Sequence, residues 1–119
     1  DFGTHSTAPV LYPDIALAVA NAINAGQQRL GVLVCGTGIG MAISANKVLG
    51  IRAAQAHDTY SAERARKSND AQILSIGARV IGAELAKSIV TAFLASEFEA
   101  ARSGAKVARI NAIERDGHQ

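Results

Sequence analysis

The sequence predicts an α/β domain whose parallel sheet is covered by helices on both faces. Short apolar runs alternate along the chain with segments whose apolar residues recur at helical spacing. The chain has 119 residues, 49% of them hydrophobic, which is enough for one domain with its own core. Parallel strands are joined by right-handed crossovers, so the helices should cover both faces. We therefore expect residues 1–119 to form a single domain.

Three apolar runs are predicted to form the strands of this sheet. They are Leu30–Cys35, Ile51–Ala56 and Ala71–Ile76. The first run is continuously apolar and rich in β-branched residues, which is typical of a strand buried on both faces. The second is likewise expected to be a buried strand. A glycine-rich segment, residues 36–40, follows the first strand directly, and Gly77 ends the third.

The first two helices are recognised by their ends. Pro13–Asp14 is a typical helix start, apolar residues follow at a spacing of four, and Gly26 ends the segment. Met41–Val48 is rich in alanine. Lys47 and Gly50 supply a cation in its last turn and a glycine just beyond it, as helix ends often do.

The remaining three helices are predicted from a cap and from apolar stripes. Asp58 or Thr59 is a typical N-cap for a polar helix that ends near Lys67. The next two helices each carry an apolar stripe, and the last one spans Glu97–Glu114. The stripes consist of Leu85, Ile89 and Phe93 in the fourth helix and of Val107, Ile110 and Ile113 in the fifth.

The composition argues against several classes of function. The net charge is only +2, the basic residues are scattered, and aromatic residues make up 4%, which disfavours a nucleic-acid groove lined with aromatics. No apolar run approaches the length of a membrane span, and the chain opens as the inside of a domain does, without a secretory signal. A single cysteine fits a reducing compartment. We therefore expect a cytoplasmic protein that binds neither nucleic acid nor membrane.

The segment LVCGTGIG, residues 33–40, is the most informative stretch for function. Ligands of open parallel sheets bind at the carboxyl ends of the strands, where Cys35 and the glycine turn (residues 36–40) are predicted to lie. Glycines permit positive φ and leave backbone N–H groups accessible, and the following helix adds its positive amino end. The turn therefore predicts a pocket for a phosphate, a carboxylate or a developing oxyanion.

The residues alone leave the role of this segment open. Its glycine spacing differs from the dinucleotide fingerprint, and the P-loop lysine is absent. Cys35 is either a small buried hydrophobic residue or a reactive thiol. The glycine turn and the helix start favour the second interpretation, because an electropositive setting activates cysteine.

Four stretches together resemble the ribose-5-phosphate isomerase B family, which also contains galactose-6-phosphate isomerase subunits and allose-6-phosphate isomerases. They are DFGTHSTAPVLYPDIA, GVLVCGTGIGMAISANKVLGIRA, SNDAQILSIGARVIG and SEFEAARSGAKVARINAIE, and they are spread from residue 1 to residue 114, so the resemblance extends over essentially the whole chain. The resemblance implies a Rossmann-like three-layer fold and the interconversion of aldose and ketose phosphates without metal or cofactor. It also implies a homodimer or homotetramer with active sites at subunit interfaces, and a C-terminal helix that packs on a neighbouring subunit.

The same resemblance implies roles for the residues around the glycine turn. Cys35 corresponds to the general base that moves a proton between C1 and C2 through a cis-enediolate. The hydroxyl of Thr37 is available to shuttle protons between the enediolate oxygens. The backbone hole for those oxygens corresponds to Gly36, Gly38, Ile39 and Gly40.

Five further positions correspond to substrate contacts in the family. Asn69 and Arg79 match residues that bind the sugar or its phosphate. Arg102 and Lys106 match a pair of arginines that grip the phosphate, often from the neighbouring subunit, and their spacing of four places them on one helix face. Tyr12 matches a tyrosine at the rim of the pocket. Without the resemblance, the basic pair would read as a solvated helix face and Tyr12 as a partly buried aromatic residue.

The chain departs from the family pattern in three places. The family's first strand and helix, about thirty residues with an Asp-His pair, have no counterpart in residues 1–119, so that either the sequence is a fragment or the pair is lost. Without that strand, the sheet should have an unpaired edge or recruit a strand from another chain. Ser68 stands where the family has the histidine that opens the sugar ring, and Lys106 replaces an arginine. His57, predicted beside the carboxyl end of the second strand, could take over ring opening or be merely structural. His5 and His118 carry no signal.

Two functions remain in competition at this point. The first is a sugar-phosphate isomerase acting on ribose 5-phosphate or a 6-phosphohexose. The second is a non-catalytic subunit that binds a sugar phosphate or supports an active partner. Ser68 favours the second function, whereas Cys35 favours the first, because a binding module needs the turn but not the thiol.

Overall fold

A computed structural model describes residues 1–3 and 10–117, and the predicted α/β fold with a parallel sheet is confirmed. The strands are β1 (Gly31–Cys35), β2 (Ala53–Gln55) and β3 (Ile73–Gly77). The helices are α1 (Tyr12–Asn24), α2 (Ile39–Asn46), α3 (Thr59–Asn69), α4 (Ala83–Leu94) and α5 (Ala100–Gly117). None of the described helices is long and apolar enough to cross a membrane.

The three strands form one parallel sheet in the order β1-β3-β2. At the amino ends, Gly31 and Ala53 both lie opposite Ile73, and at the carboxyl end Cys35 lies opposite Gly77. All five residues of β3 are buried, because this central strand has a neighbour on each side and a helical layer on each face. The sheet therefore places the ends of β1 and β3 side by side, which is where the candidate site lies.

Two separate apolar clusters cover the two faces of the sheet, as expected for a three-layer domain. Alternating residues of the strands point into opposite clusters, so that Ile73 belongs to one and Leu74 to the other. The helices α1 and α2 supply the first cluster: Ala16, Val19, Ala20, Met41 and Ala45. The helices α3 and α4 supply the second: Ala62, Ala65, Ile89 and Phe93.

The second strand differs from the prediction. Instead of a buried strand over Ile51–Ala56, the structure has the short edge strand β2, whose two alanines are half-buried and whose Gln55 is exposed. The strand pairs only with β3, and small alanine side chains give no sign from sequence that one side is open. The predicted unpaired edge on the other side is also present, because β1 pairs only with β3 in the described part of the chain, and Val34 is 52% exposed.

Helix α5 crosses the amino-terminal edge of the sheet. The N–H of Glu99, just before its start, donates to the carbonyl of Lys67 near the end of α3 (3.0 Å). Towards its end, Glu114 accepts a hydrogen bond from the N–H of Gly50 (2.8 Å). Of the predicted stripe, Val107 is buried, whereas Ile110 and Ile113 are 42% and 56% exposed. The packing of this helix on a neighbouring subunit therefore stays a prediction.

Candidate active site

The candidate site is built around Cys35, the last residue of β1, which is half-buried. The chain then turns back over the end of β3, held by two backbone hydrogen bonds. The N–H of Ala78 donates to the carbonyl of Cys35 (2.7 Å), and that of Arg79 donates to the carbonyl of Gly36 (3.0 Å). Helix α2 begins at the end of the turn, with Gly38 as its N-cap.

Two glycines are required because the turn and β3 touch backbone to backbone. Gly38 has φ of 79°, and a Cβ there would lie 2.9 Å from the carbonyl carbon of Ile76. A Cβ on Gly77 would lie 2.7 Å from the backbone of Thr37. Neither position has room for a side chain, so the glycine spacing follows from the contact itself.

The polar groups of the turn are directed at the two side chains predicted to act in catalysis. The N–H of Gly38 donates to the sulfur of Cys35 (3.2 Å), and the N–H of Ile39 donates to the hydroxyl of Thr37 (3.2 Å). The N–H groups of Gly36, Thr37 and Gly40 donate to no acceptor among the described residues. Together with the amino end of α2, these groups are the donors that an anion would need, and anion binding by the turn stays a prediction.

Three further predicted residues lie near Cys35. The side chain of Arg79 covers Gly36, with its Cδ 3.6 Å from where a Cβ would be, and the hydroxyl of Tyr12 lies directly against Gly40. His57 follows β2, and its Nε2 accepts a hydrogen bond from the N–H of Gly77 (2.9 Å). We call Cys35, Thr37, Tyr12, Arg79 and His57 the cysteine group.

Asp58, next to His57, has a structural role in this part of the fold. It is the N-cap of α3 and accepts hydrogen bonds from Ser61. Those hydrogen bonds hold the pKa of the Asp58 carboxyl below its usual value. The cap fixes the start of α3 and so the position of His57 immediately before it.

The other predicted residues lie at the opposite edge of the sheet. Ser68 and Asn69 end α3, just before the amino end of β3, and the Asn69 carbonyl accepts a hydrogen bond from Arg52, which precedes β2 (3.1 Å). A five-residue strand, at about 3.3 Å per residue, separates this edge from Cys35 by roughly 13 Å. Within one chain, Ser68 and Asn69 therefore do not share a pocket with the cysteine.

The predicted phosphate-binding pair lies on the same side as Ser68. Arg102 and Lys106 are exposed on the first turns of α5, which starts beside the end of α3. Ser68, Asn69, Arg102 and Lys106 are called the arginine group below. Near it, β2, α3 and α5 enclose a cleft of about 400 Å³ that Asn69 lines.

Sequence patterns do not single out Arg64, although it binds Ser68 directly. Its Nε and Nη2 both donate to the hydroxyl oxygen of Ser68 (2.8 and 2.5 Å), and its Nη1 lies 3.4 Å from Glu99. The only signal in the sequence is the spacing of four on a predicted helix.

Two polar residues below the turn are also missed by sequence reasoning. Gln55 donates from its side-chain amide to the carbonyl of Thr37 (2.8 Å), and Ser75 donates from its hydroxyl to the carbonyl of Gly38 (2.7 Å). Ser75 interrupts an otherwise apolar strand and Gln55 ends β2 after two alanines, and these polar positions are the signal by which they could be found. Within residues 1–3 and 10–117, no three His, Cys, Asp or Glu side chains are grouped as a metal would require.

Comparison with known proteins gives one consistent family. The family model described as Ribose/Galactose Isomerase matches residues 1–110. The chain is 59% identical over 110 residues to the D-erythrulose-4-phosphate isomerase of Pectobacterium atrosepticum, covering 92% of this chain and 72% of the relative. It is 46% identical over 114 residues to the ribose-5-phosphate isomerase B of Escherichia coli, covering 96% and 76%. The solved ribose-5-phosphate isomerase B of Clostridium thermocellum superposes with a TM-score of 0.93 at 46% identity, covering 98% and 78%.

The backbone contact at Gly38 can be tested against a glycine that lacks it. Gly38→Ala and Gly26→Ala both place a side chain at positive φ (79° and 78°), but only the first meets backbone, because nothing lies within 4 Å at Gly26. We expect Gly38→Ala to lower the free energy of unfolding by at least about 1 kcal/mol more than Gly26→Ala, measured by urea denaturation. Equal losses would show that the turn does not depend on this contact.

Proposed function

The chain belongs to the ribose/galactose isomerase family and is a sugar-phosphate isomerase, and from that premise we propose that Cys35 is the base for aldose–ketose isomerisation. One observation carries the proposal. The sulfur of Cys35 accepts the N–H of Gly38 beside a backbone rich in outward N–H groups, at the start of α2. Hydrogen bonds to an ionised acceptor are the stronger ones, so this arrangement suits a thiolate and an enediolate alike.

The proposed reaction moves one proton between neighbouring carbons. The Cys35 thiolate takes the proton from C2 of the aldose, and the electron pair becomes the double bond of a cis-enediolate. The backbone of the glycine turn binds the enediolate oxygens while the hydroxyl of Thr37 passes a proton from O2 to O1. The thiol then returns its proton to C1, giving the ketose. A positioned base contributes about 10²–10⁴ in rate, and each oxyanion donor about 10²–10³.

Replacing the base tests this directly. Cys35→Ala in the full-length protein should lower kcat by about 10²–10⁴ and leave KM nearly unchanged, because binding does not need the thiol. Iodoacetamide should inactivate the wild type and sugar phosphate should protect it. The label should be found on Cys35, the only cysteine within residues 1–119, and should be absent from that position in Cys35→Ala. Turnover by Cys35→Ala at the wild-type rate would contradict the assignment.

A complete site is proposed to form between two copies of the chain. The cysteine group and the arginine group lie at opposite ends of the sheet, farther apart than one sugar phosphate reaches. A twofold axis that brings the cysteine group of each copy against the arginine group of the other forms two equal sites. The exposed Ile110 and Ile113 of α5 support such packing, because large apolar side chains on one helix face favour burial against a partner.

Mixing two defective variants tests the shared site. Arg102→Ala should mainly raise KM, because the phosphate is bound alike in the ground and transition states. Cys35→Ala and Arg102→Ala, each weakly active below KM, should complement one another when subunits exchange. Half of the chains then enter mixed dimers with one intact site, so about a quarter of the wild-type activity returns. Activity that stays at the average of the two variants would place both groups in one subunit.

The choice of sugar depends on whether the ring must be opened. Opening needs a group that takes and gives protons near neutral pH, and Ser68, His57 or an already open substrate are the alternatives. The hydroxyl oxygen of Ser68 accepts from the permanently charged Arg64, and the Nε2 of His57 accepts from Gly77. These contacts support the third alternative. A four-carbon sugar with its phosphate on O4 cannot close a five-membered ring, and one relative is named a D-erythrulose-4-phosphate isomerase.

Substrate comparison separates these alternatives. Ser68→His should raise kcat/KM for ribose 5-phosphate by more than about threefold and leave that for erythrose 4-phosphate unchanged, because only the pentose must open. His57→Ala should lower the rate with both substrates or with neither, since His57 binds the N–H of Gly77 below the turn and is not expected to open the sugar ring. A selective loss with ribose 5-phosphate in His57→Ala would assign ring opening to His57 instead.

A non-catalytic supporting subunit is the second candidate, because Ser68 removes the proton relay that the family resemblance implies. It predicts that the full-length protein binds sugar phosphates without turnover of any of them. The hydrogen bond between Gly38 and Cys35 favours the isomerase, because a binding module has no use for a positioned sulfur.

A further inference from the structure

We infer that Gln55 and Ser75 are positioning residues that aim two peptide groups of the glycine turn at Cys35 and Thr37. We call the two hydrogen bonds that they donate to carbonyls of the turn the carbonyl clamp. The effect of the clamp on catalysis rests on the proposed function. The two residues are register partners on β2 and β3. Their side chains share the sheet face that carries Ile73 and α2, and they lie directly below the turn.

Gln55 controls the first peptide group. Its side-chain amide donates to the carbonyl of Thr37 (2.8 Å), and the N–H of the same peptide group, that of Gly38, donates to the Cys35 sulfur (3.2 Å). The C=O and N–H of a trans peptide point in opposite directions, and the described residues contain no cis peptide. Holding the carbonyl down therefore holds the N–H on the sulfur.

Ser75 controls the next peptide group in the same way. Its hydroxyl donates to the carbonyl of Gly38 (2.7 Å), which also accepts the N–H of Ala42 in the first turn of α2 (3.2 Å). The N–H of that peptide group, that of Ile39, donates to the Thr37 hydroxyl (3.2 Å). Ser75 is completely buried in an otherwise apolar strand. A buried hydroxyl is costly unless it is bonded, so this serine has its partner in the turn.

Loss of Gln55 and loss of Ser75 should have different effects on the site, and this difference distinguishes them from residues that only stabilise the fold. Loss of the Gln55 amide frees the Gly38 N–H from the sulfur, so the thiolate loses a donor. Loss of the Ser75 hydroxyl leaves the Gly38 carbonyl with its weaker, 3.2 Å hydrogen bond from Ala42, so the contact of Ile39 with the Thr37 hydroxyl is loosened while the sulfur contact stays in place. The first change acts on Cys35 reactivity and on turnover, whereas the second acts on turnover alone.

Alkylation and turnover of the full-length protein test the clamp. Gln55→Met should slow the reaction of Cys35 with iodoacetamide at pH 7 and lower kcat, each by about three- to tenfold, the effect of one hydrogen bond. Gln72→Met is its matched control, because Gln72 donates to the carbonyl of Gly50 at the same 2.8 Å, at the far edge of the sheet. The control should alkylate and turn over as the wild type does.

The serine arm uses the same design. Ser75→Ala should lower kcat by about three- to tenfold with KM and alkylation within about twofold of the wild type, and Ser75→Thr, which keeps the hydroxyl, should restore kcat. Ser96→Ala is the control, because Ser96, just past the end of α4, is also buried and donates to the carbonyl of Ala92 (2.7 Å), away from the turn. If Ser75→Ala does not fold, the comparison of Gln55→Met with Gln72→Met tests the clamp instead, because Gln55 is exposed.

The outcomes separate the clamp from the proposed function. Equal alkylation of Gln55→Met and Gln72→Met, or equal kcat of Ser75→Ala and Ser96→Ala, overturns the clamp. Full turnover by Cys35→Ala overturns the assignment of Cys35 as the base. The alkylation rates of Gln55→Met and Gln72→Met still decide whether Gln55 positions the Gly38 N–H on the sulfur.

Discussion

The direct backbone contact between the glycine turn and the end of β3 determines everything at the cysteine end of the sheet. Gly38 in the turn lies against the carbonyl carbon of Ile76, and Gly77 in β3 lies against the backbone of Thr37. Each glycine lacks the side chain that would keep the turn and β3 apart. At this separation the turn is close enough for side chains of the sheet to reach its carbonyls. With a side chain at either glycine, the turn would rise from the sheet and lose the hydrogen bonds from below.

The contact also explains why the site is electrostatically one-sided. The carbonyls of Cys35 and Gly36 accept backbone N–H groups of the segment after β3, and those of Thr37 and Gly38 accept side chains of β2 and β3. Four successive carbonyls are thus turned towards the protein. Among their peptide partners, the N–H groups of Gly38 and Ile39 donate to the Cys35 sulfur and the Thr37 hydroxyl, beside which negative charge would develop in the proposed reaction.

The sequence was sufficient for the parts of the molecule that depend on local pattern. Apolar runs predicted β1 and β3, and the glycine spacing placed a turn at the end of β1, because both are properties of neighbouring residues. The strand predicted over Ile51–Ala56 is present but shorter, and its expected burial was wrong for β2 itself, since small alanines look the same at a sheet edge and in its centre. Ser75 and Gly38 are 37 positions apart, and Arg64 binds Ser68 through rotamers that spacing alone does not select. Such pairs depend on the packed chain, so only the structure reveals them.

The separation of the two groups divides the chemistry between the ends of the sheet. Proton-transferring candidates, the Cys35 thiol and the Thr37 hydroxyl, lie at the carboxyl end. The opposite edge carries Arg64, Arg102 and Lys106, whose side chains offer N–H donors and no acceptor, as binding of an anion requires. Arg64 also donates two hydrogen bonds to the hydroxyl oxygen of Ser68, so this oxygen is already bonded within the chain. In the shared site proposed above, one edge would bind the phosphate and the other would move the proton, so its chemistry would depend on how accurately the turn is held.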